Sequence, residues 1–126
     1  MLFSWATYDA DELPAELEDG VFLYCQFSAL DVEGAIFDGA LLGCHFKRSS
    51  FYLSLFNVAT FVRVKFEDCS FNGTSFMGCV LTECEFIRCH FGEDNIGGVC
   101  RFDDSRWYAC TQSECLGLNV ESVIAT

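Results

Sequence analysis

The apolar positions of this chain recur with a period of five. Phe46, Phe51, Phe56, Phe61, Phe66, Phe71 and Phe76 follow one another without a gap, and Leu81, Phe86, Phe91 and Ile96 continue the register. Upstream, Phe22, Phe27, Val32 and Phe37 keep the same step, and one residue is lost across residues 39–43. Downstream, one extra residue near Gly97 and Gly98 precedes Phe102 and Trp107. Of the 14 Phe in the chain, only Phe3 falls outside this count. A step of five turns about 140° on an α-helix, so no apolar stripe forms there. On a flat strand an odd step sends successive side chains to opposite faces. The pattern closes only if the chain turns a corner once per repeat, bringing every central residue to one interior. That is a solenoid, whose coils stack about 4.8 Å apart through ladder hydrogen bonds.

The position two residues before each centre supports this. It holds Gly20, Cys25, Ala35, Cys44, Ser49, Ser54, Ala59, Val64, Cys69, Thr74, Cys79, Cys84, Cys89 and Cys100, nearly all small, with Leu30 and Asp94 as exceptions. Residues two apart on extended chain share a face, so the small residue points inward beside the aromatic ring. The other three positions of each unit are mixed and polar, as an outer surface requires.

The pattern (C/S/A)xFxx over residues 20–112 resembles the pentapeptide-repeat family, in its Phe-centred form. The resemblance implies an all-β fold, a right-handed quadrilateral β-helix (β-solenoid) of about four to five coils with short terminal caps. Four pentapeptides make one coil, so coils are centred at 27–42, 46–61, 66–81 and 86–102, with Trp107 opening a partial fifth above Phe86. The core ladder is then Phe27, Phe37, Phe46, Phe51, Phe56, Phe61, Phe66, Phe71, Phe76, Phe86, Phe91 and Phe102.

Composition and charge narrow the function. The chain has 126 residues, 52% hydrophobic, and a net charge of −12. That length suits one domain with a real core. No apolar run reaches the roughly 20 residues that span a bilayer. The first twelve residues carry no base and no cleavage signal, so a cytoplasmic, non-membrane protein is expected. Residues 1–19 hold six acids and no base: Asp9, Asp11, Glu12, Glu16, Glu18 and Asp19. Residues 20–112 hold eleven acids against seven bases, a net of −4, with paired acids at Glu67–Asp68 and Asp103–Asp104. Direct nucleic-acid binding needs a cationic track, which this distribution does not offer.

The 9 cysteines invite a disulfide or zinc reading, but they fall on the small inward position. An odd number without a secretory signal argues against a disulfide framework. Repeats of C-x4-C at 79, 84 and 89 face inward from different sides and are not a zinc spacing. Buried, reduced thiols are expected. His45 and His90 each follow a cysteine and point the other way, as solvated surface histidines. No phosphate loop, nucleophile elbow or HExxH is present, and a Phe-filled interior leaves no pocket, so neither catalysis, metal nor cofactor is expected.

Three segments follow: an acidic N-terminal cap over 1–19 with a short helix start at residues 11–17, the repeat body over 20–112, and a C-terminal cap or dimerisation segment over 113–126. On the second coil the outward positions become apolar at Tyr52, Leu53, Leu55, Val58 and Val62, with Met77 beside them in the third. Such a group, flanked by bases, suggests a protein-binding surface. The expected function is a non-enzymatic protein-binding module that masks or inhibits a partner, as a toxin-neutralising (immunity) or regulatory protein. The resemblance also implies two alternatives. One is a DNA mimic that protects or inhibits a DNA-acting enzyme, DNA gyrase, as in quinolone-resistance members. The other is a self-assembling structural module or homodimer. The short rod, and the concentration of acid in the N-terminal segment, weigh against the gyrase alternative.

Overall fold

The computed structural model describes residues 2–9 and 19–125, which form a β-solenoid of about four turns with four faces. The helix start expected at residues 11–17, and with it Asp11, Glu12, Glu16 and Glu18, lies outside the described residues. The first face is a six-stranded parallel sheet: Leu2–Ser4, Val21–Leu23, Ala40–Leu42, Thr60–Val62, Val80–Thr82 and Arg106–Tyr108. The second has seven strands: Thr7–Tyr8, Gln26–Ser28, His45–Lys47, Lys65–Glu67, Glu85–Ile87, Thr111–Ser113 and Ile124–Ala125. The third has four: Asp31–Glu33, Ser50–Tyr52, Ser70–Asn72 and His90–Gly92. Single bridges from Ile36 to Leu55 to Ser75 to Arg101 make the fourth.

Each strand is short because the chain must turn a corner before the next repeat. At most corners the residue two past the centre takes positive φ, as at Tyr24, Leu53, Arg63, Asp68, Glu83 and Arg88. Its N–H donates to a carbonyl of the next coil, as from Tyr24 to Leu42 at 2.8 Å and from Arg63 to Thr82 at 2.9 Å. The left-handed conformation costs a side-chain-bearing residue roughly 1–2 kcal/mol, and the ladder bond helps offset it.

The central Phe residues are buried, Phe102 in the last stack only partly, and they stack ring on ring. Phe27, Phe46, Phe66 and Phe86 lie at centroid spacings of 4.3, 4.9 and 4.9 Å, nearly parallel. Phe51, Phe71 and Phe91 follow on the third face at 5.3 and 4.7 Å, and Phe37, Phe56, Phe76 and Phe102 on the fourth at 5.3, 5.1 and 5.6 Å. The spacing of hydrogen-bonded strands, about 4.8 Å, matches a favourable offset stacking distance for aromatic rings. A Phe at every coil therefore satisfies ladder and core together. The small inward cysteines donate to carbonyls one coil down, as from Cys44 Sγ to Phe22 O at 3.4 Å and from Cys89 Sγ to Phe66 O at 3.3 Å. All nine are free thiols.

The structure corrects the register at four points. Phe3 belongs to the ladder: it pairs with Phe22 and stacks on it at 4.7 Å, and Tyr8 sits on Phe27 in the same way. The fourth centre of the first full coil is closed by Leu41, not Leu42, because the missing residue is the left-handed corner between Phe37 and Leu41. There Asp38 Oδ1 accepts from Asp19 N at 2.6 Å, and a Cβ on Gly39 would come within 2.0 Å of the Gly20 carbonyl. Only glycine passes so close to another backbone. Ile96 is not a core residue; it is 93% exposed, at the tip of a loop outside the coil. Asp94 builds that loop, accepting from Ile96 N at 2.9 Å and from Gly98 N at 2.7 Å. With Ile96 out of the count, Phe102 closes the fourth face, and Trp107 lands on Leu81 of the first face instead of Phe86. Gln112 takes the place above Phe86.

Candidate protein-binding surface

Outward side chains sit one residue before or after a buried centre, or at the corner two residues after it, and the coils place equivalent outward residues in columns. On the second face these columns are polar, with Gln26, His45, Lys47, Lys65, Glu67 and Glu85 pointing out. His45 is half-buried rather than freely solvated, its Nε2 3.4 Å from Glu67 Oε1. Burial, with Lys47 and Lys65 nearby, holds its pKa below the ordinary value. Arg88 engages Asp68 at 2.7 Å and Glu67 at 3.3 Å, and Arg101 lies 3.7 Å from Asp103. The paired acids of the body are therefore partly neutralised, and the Arg88 contact holds the Asp68 carboxyl below the usual range. Asp9, Asp19 and Asp104 are exposed.

The first face is different. Its outward residues are Leu2, Ser4, Val21, Leu23, Ala40, Leu42, Thr60, Val62, Val80, Thr82, Arg106 and Tyr108, and only Arg106 is charged. Six strands at about 4.8 Å give an apolar ribbon about 24 Å long. Trp5 and Tyr24 extend it round the next corner, stacked at 4.7 Å and both exposed. Val21, Leu23, Ala40, Leu42 and Val80 join Val62 here; they lie about twenty residues apart in the chain, so only the stacking of coils brings them together. The signal was present as an apolar residue flanking every fourth centre.

The six residues singled out on the second and third coils do not gather on one face. Tyr52 lies on the third face, half-buried, its hydroxyl accepting from Asn95 N at 2.7 Å. Leu53 occupies the next corner, 42% exposed, and Leu55 the fourth face, 37% exposed. Met77 is half-buried on the fourth face and Val62 on the first. Val58 stands at the corner between the fourth and first faces, 73% exposed. It takes φ +62 within a turn closed by Ala59 N to Phe56 O at 3.1 Å. Such a turn favours Gly or Asn at that place, and a β-branched residue there is an outlier. Gly78 fills the equivalent corner one coil later. Val58 thus costs folding energy and buries little, and it continues the apolar ribbon round the corner.

Buried Phe rings line the interior, and outside it the loop after Gly92 forms a cleft of about 590 Å³, unexpected from the repeat pattern, lined by His90, Glu93, Val99, Cys100 and Asn119 among others. Burial pushes the thiols of Cys44 and Cys79 up to about 11 and about 12, away from nucleophilic reactivity. Among the described residues, no group of three His, Cys, Asp or Glu side chains is arranged to hold a metal ion. No helix among them is long and apolar enough to cross a membrane.

No curated protein matches the chain. Among solved structures, a trypsin-treated variant of QnrB1, a plasmid-mediated fluoroquinolone resistance protein, aligns at 15% identity over 98% of this chain and 88% of its own, with a TM-score of 0.44. Full-length QnrB1 aligns at 12% identity over 98% and 90%, with a TM-score of 0.33. The family model for pentapeptide repeats (8 copies) matches residues 59–93. Residues 59–93 are thus pentapeptide repeats by that match, and the same ladder of centres runs on in both directions from the segment.

Proposed function

We propose that this protein is a non-enzymatic binding module that masks a protein partner, and that the first face with its Val58 corner is the surface that does so. The observation that carries this reading is a six-stranded sheet whose outward side chains include one charge, Arg106, in a chain of net charge −12. The sheet's apolar side chains Val21, Leu23, Ala40, Leu42, Val62 and Val80 are half-buried against one another, with Leu2 and Tyr108 exposed at the two ends, and apolar groups gathered on an outer face mark interaction sites. A toxin-neutralising or regulatory role is the form of this reading that fits a rod with one face nearly free of charge. A DNA mimic needs anionic charge tracking along the rod. Here the first face carries a single outward charge, the cation Arg106, and Arg88 and Arg101 offset acids elsewhere.

The test compares wild type with two double variants, Leu42→Glu with Val62→Glu on the sheet and Leu55→Asp on the fourth face with Val58→Asp at its corner. All these side chains point outward, so each variant is expected to keep the wild-type far-UV spectrum and a cooperative melt. A specific partner that co-purifies with wild type should be lost, by at least about tenfold in affinity, from the sheet variant. Light scattering on the same samples reports a second copy as partner, which would move the reading to self-assembly. Identical partners and identical mass across all three proteins would end the proposal.

A further inference from the structure

The small inward positions place cysteines on adjacent coils directly above one another. Ile87 pairs with Ser113 in register, so Cys89 and Cys115, two residues on, occupy the same column. The column holds: Leu116 N donates to Cys89 O at 3.0 Å, and Cys89 N donates to Cys115 Sγ at 3.4 Å. Cys69 lies one coil below, with Cys69 Sγ donating to Phe46 O at 3.5 Å and Cys89 Sγ to Phe66 O at 3.3 Å. Cα atoms on hydrogen-bonded strands are about 4.8 Å apart, inside the range of about 4.4–6.8 Å that a disulfide spans. Both side chains point into the same interior column, as a bridge requires.

Access differs along the column. Cys69 and Cys89 are buried, whereas Cys115 is half-buried in the last coil. That coil is also the poorest in core: Gln112 replaces the Phe of the second face, and its covering strand Ile124–Ala125 has two residues. We infer that Cys115 and Cys89 form a redox-sensitive staple, closed by a peroxide, that fastens the last coil to the body of the rod. The Cys115 thiol, held above its ordinary pKa by its hydrogen bond with Cys89 and by burial, reacts slowly through the fraction that loses its proton: the sulfur attacks one peroxide oxygen, the O–O bond breaks, and hydroxide leaves as water after protonation, giving a sulfenic acid. The Cys89 thiol then attacks the Cys115 sulfur, the S–O bond breaks and a second water leaves. Two thiols and one peroxide thus become one disulfide and two waters.

The test treats reduced, folded protein with hydrogen peroxide, caps remaining thiols, and maps peptides without reductant. The expected product is a peptide pair joined through Cys89 and Cys115, lost on reduction, with the melting temperature raised by about 5 °C while the bridge is intact. In Cys89→Ser the thermal shift should vanish, and Cys115 should accumulate as a sulfenic acid that dimedone captures. Oxidation of wild-type Cys115 to the sulfinic acid without a cross-link, or a bridge from Cys115 to any other thiol, overturns the inference. Should Cys89→Ser fail to fold, the wild-type map decides alone.

Discussion

At the scale of single residues, the repeat assigns a distinct burden to each position. The centre must fill the interior, the residue two before it must be small, and the residue two after it must tolerate a left-handed backbone. The first two demands are visible in the sequence as Phe and as Cys, Ser or Ala. The third is not, because Tyr24, Leu53, Arg63 and Glu83 meet it without any glycine signal. Val58 meets it least comfortably, at φ +62 with a branched side chain. Replacing it by the glycine that coil three uses, Val58→Gly, should therefore raise stability by about 1 kcal/mol, read as a higher urea midpoint with unchanged slope. No gain would mean that the corner is already relaxed and that Val58 carries no cost in need of a functional reason.

At the scale of elements, the instructive piece is the loop after Gly92. Counting by five placed Ile96 in the core, yet Asp94 ties its own segment into a turn, and Gly97 takes φ +85. The turn chemistry is present in the sequence, as Asp94 followed by Gly97 and Gly98, and it overrides the five-residue step locally because the Asp94 carboxylate satisfies the loop's own N–H groups. Excising residues 93–98 would leave Phe91, Gly92, Val99, Cys100, Arg101 and Phe102 in an unbroken five-residue step, with Cys100 two before the centre. Such a variant should keep the wild-type β spectrum and melt within about 5 °C of it, because the loop contributes little to the core. A collapse of the fold would show that Asn95 N to Tyr52, or the cleft itself, supports the rod more than its exposure suggests. The missing corner at Asp38 is the mirror case. There Gly39 was the clue, and only the approach to the Gly20 carbonyl explains why glycine stands there.

At the scale of the whole molecule, charge and core pull in opposite directions. A net charge of −12 on 126 residues repels itself in the compact state. The surface ion pairs formed by Arg88 and Arg101 are exposed, and such pairs contribute little. Added sodium chloride, which cuts the screening length to about 10 Å at 0.1 M, should raise the melting temperature by roughly 2–5 °C relative to low salt. Scanning calorimetry at fixed pH reads this directly. A fall would mean that local pairs outweigh the global repulsion.

The sequence alone determined the coil and its core, since each pentapeptide carries its own centre, small neighbour and corner, and neighbouring repeats are read together along the chain. What faces outward beside what was decided only by the tertiary structure. Val21, Leu42, Val62 and Val80 meet on one sheet because one residue is lost after Phe37, and the loop inserted after Gly92 sets where Arg106 and Tyr108 join them. On a solenoid, each such change of register reassigns every later residue to a column. The apolar ribbon and the stacked Cys89 and Cys115 both arise from residues about twenty or more apart, whose alignment depends on that count.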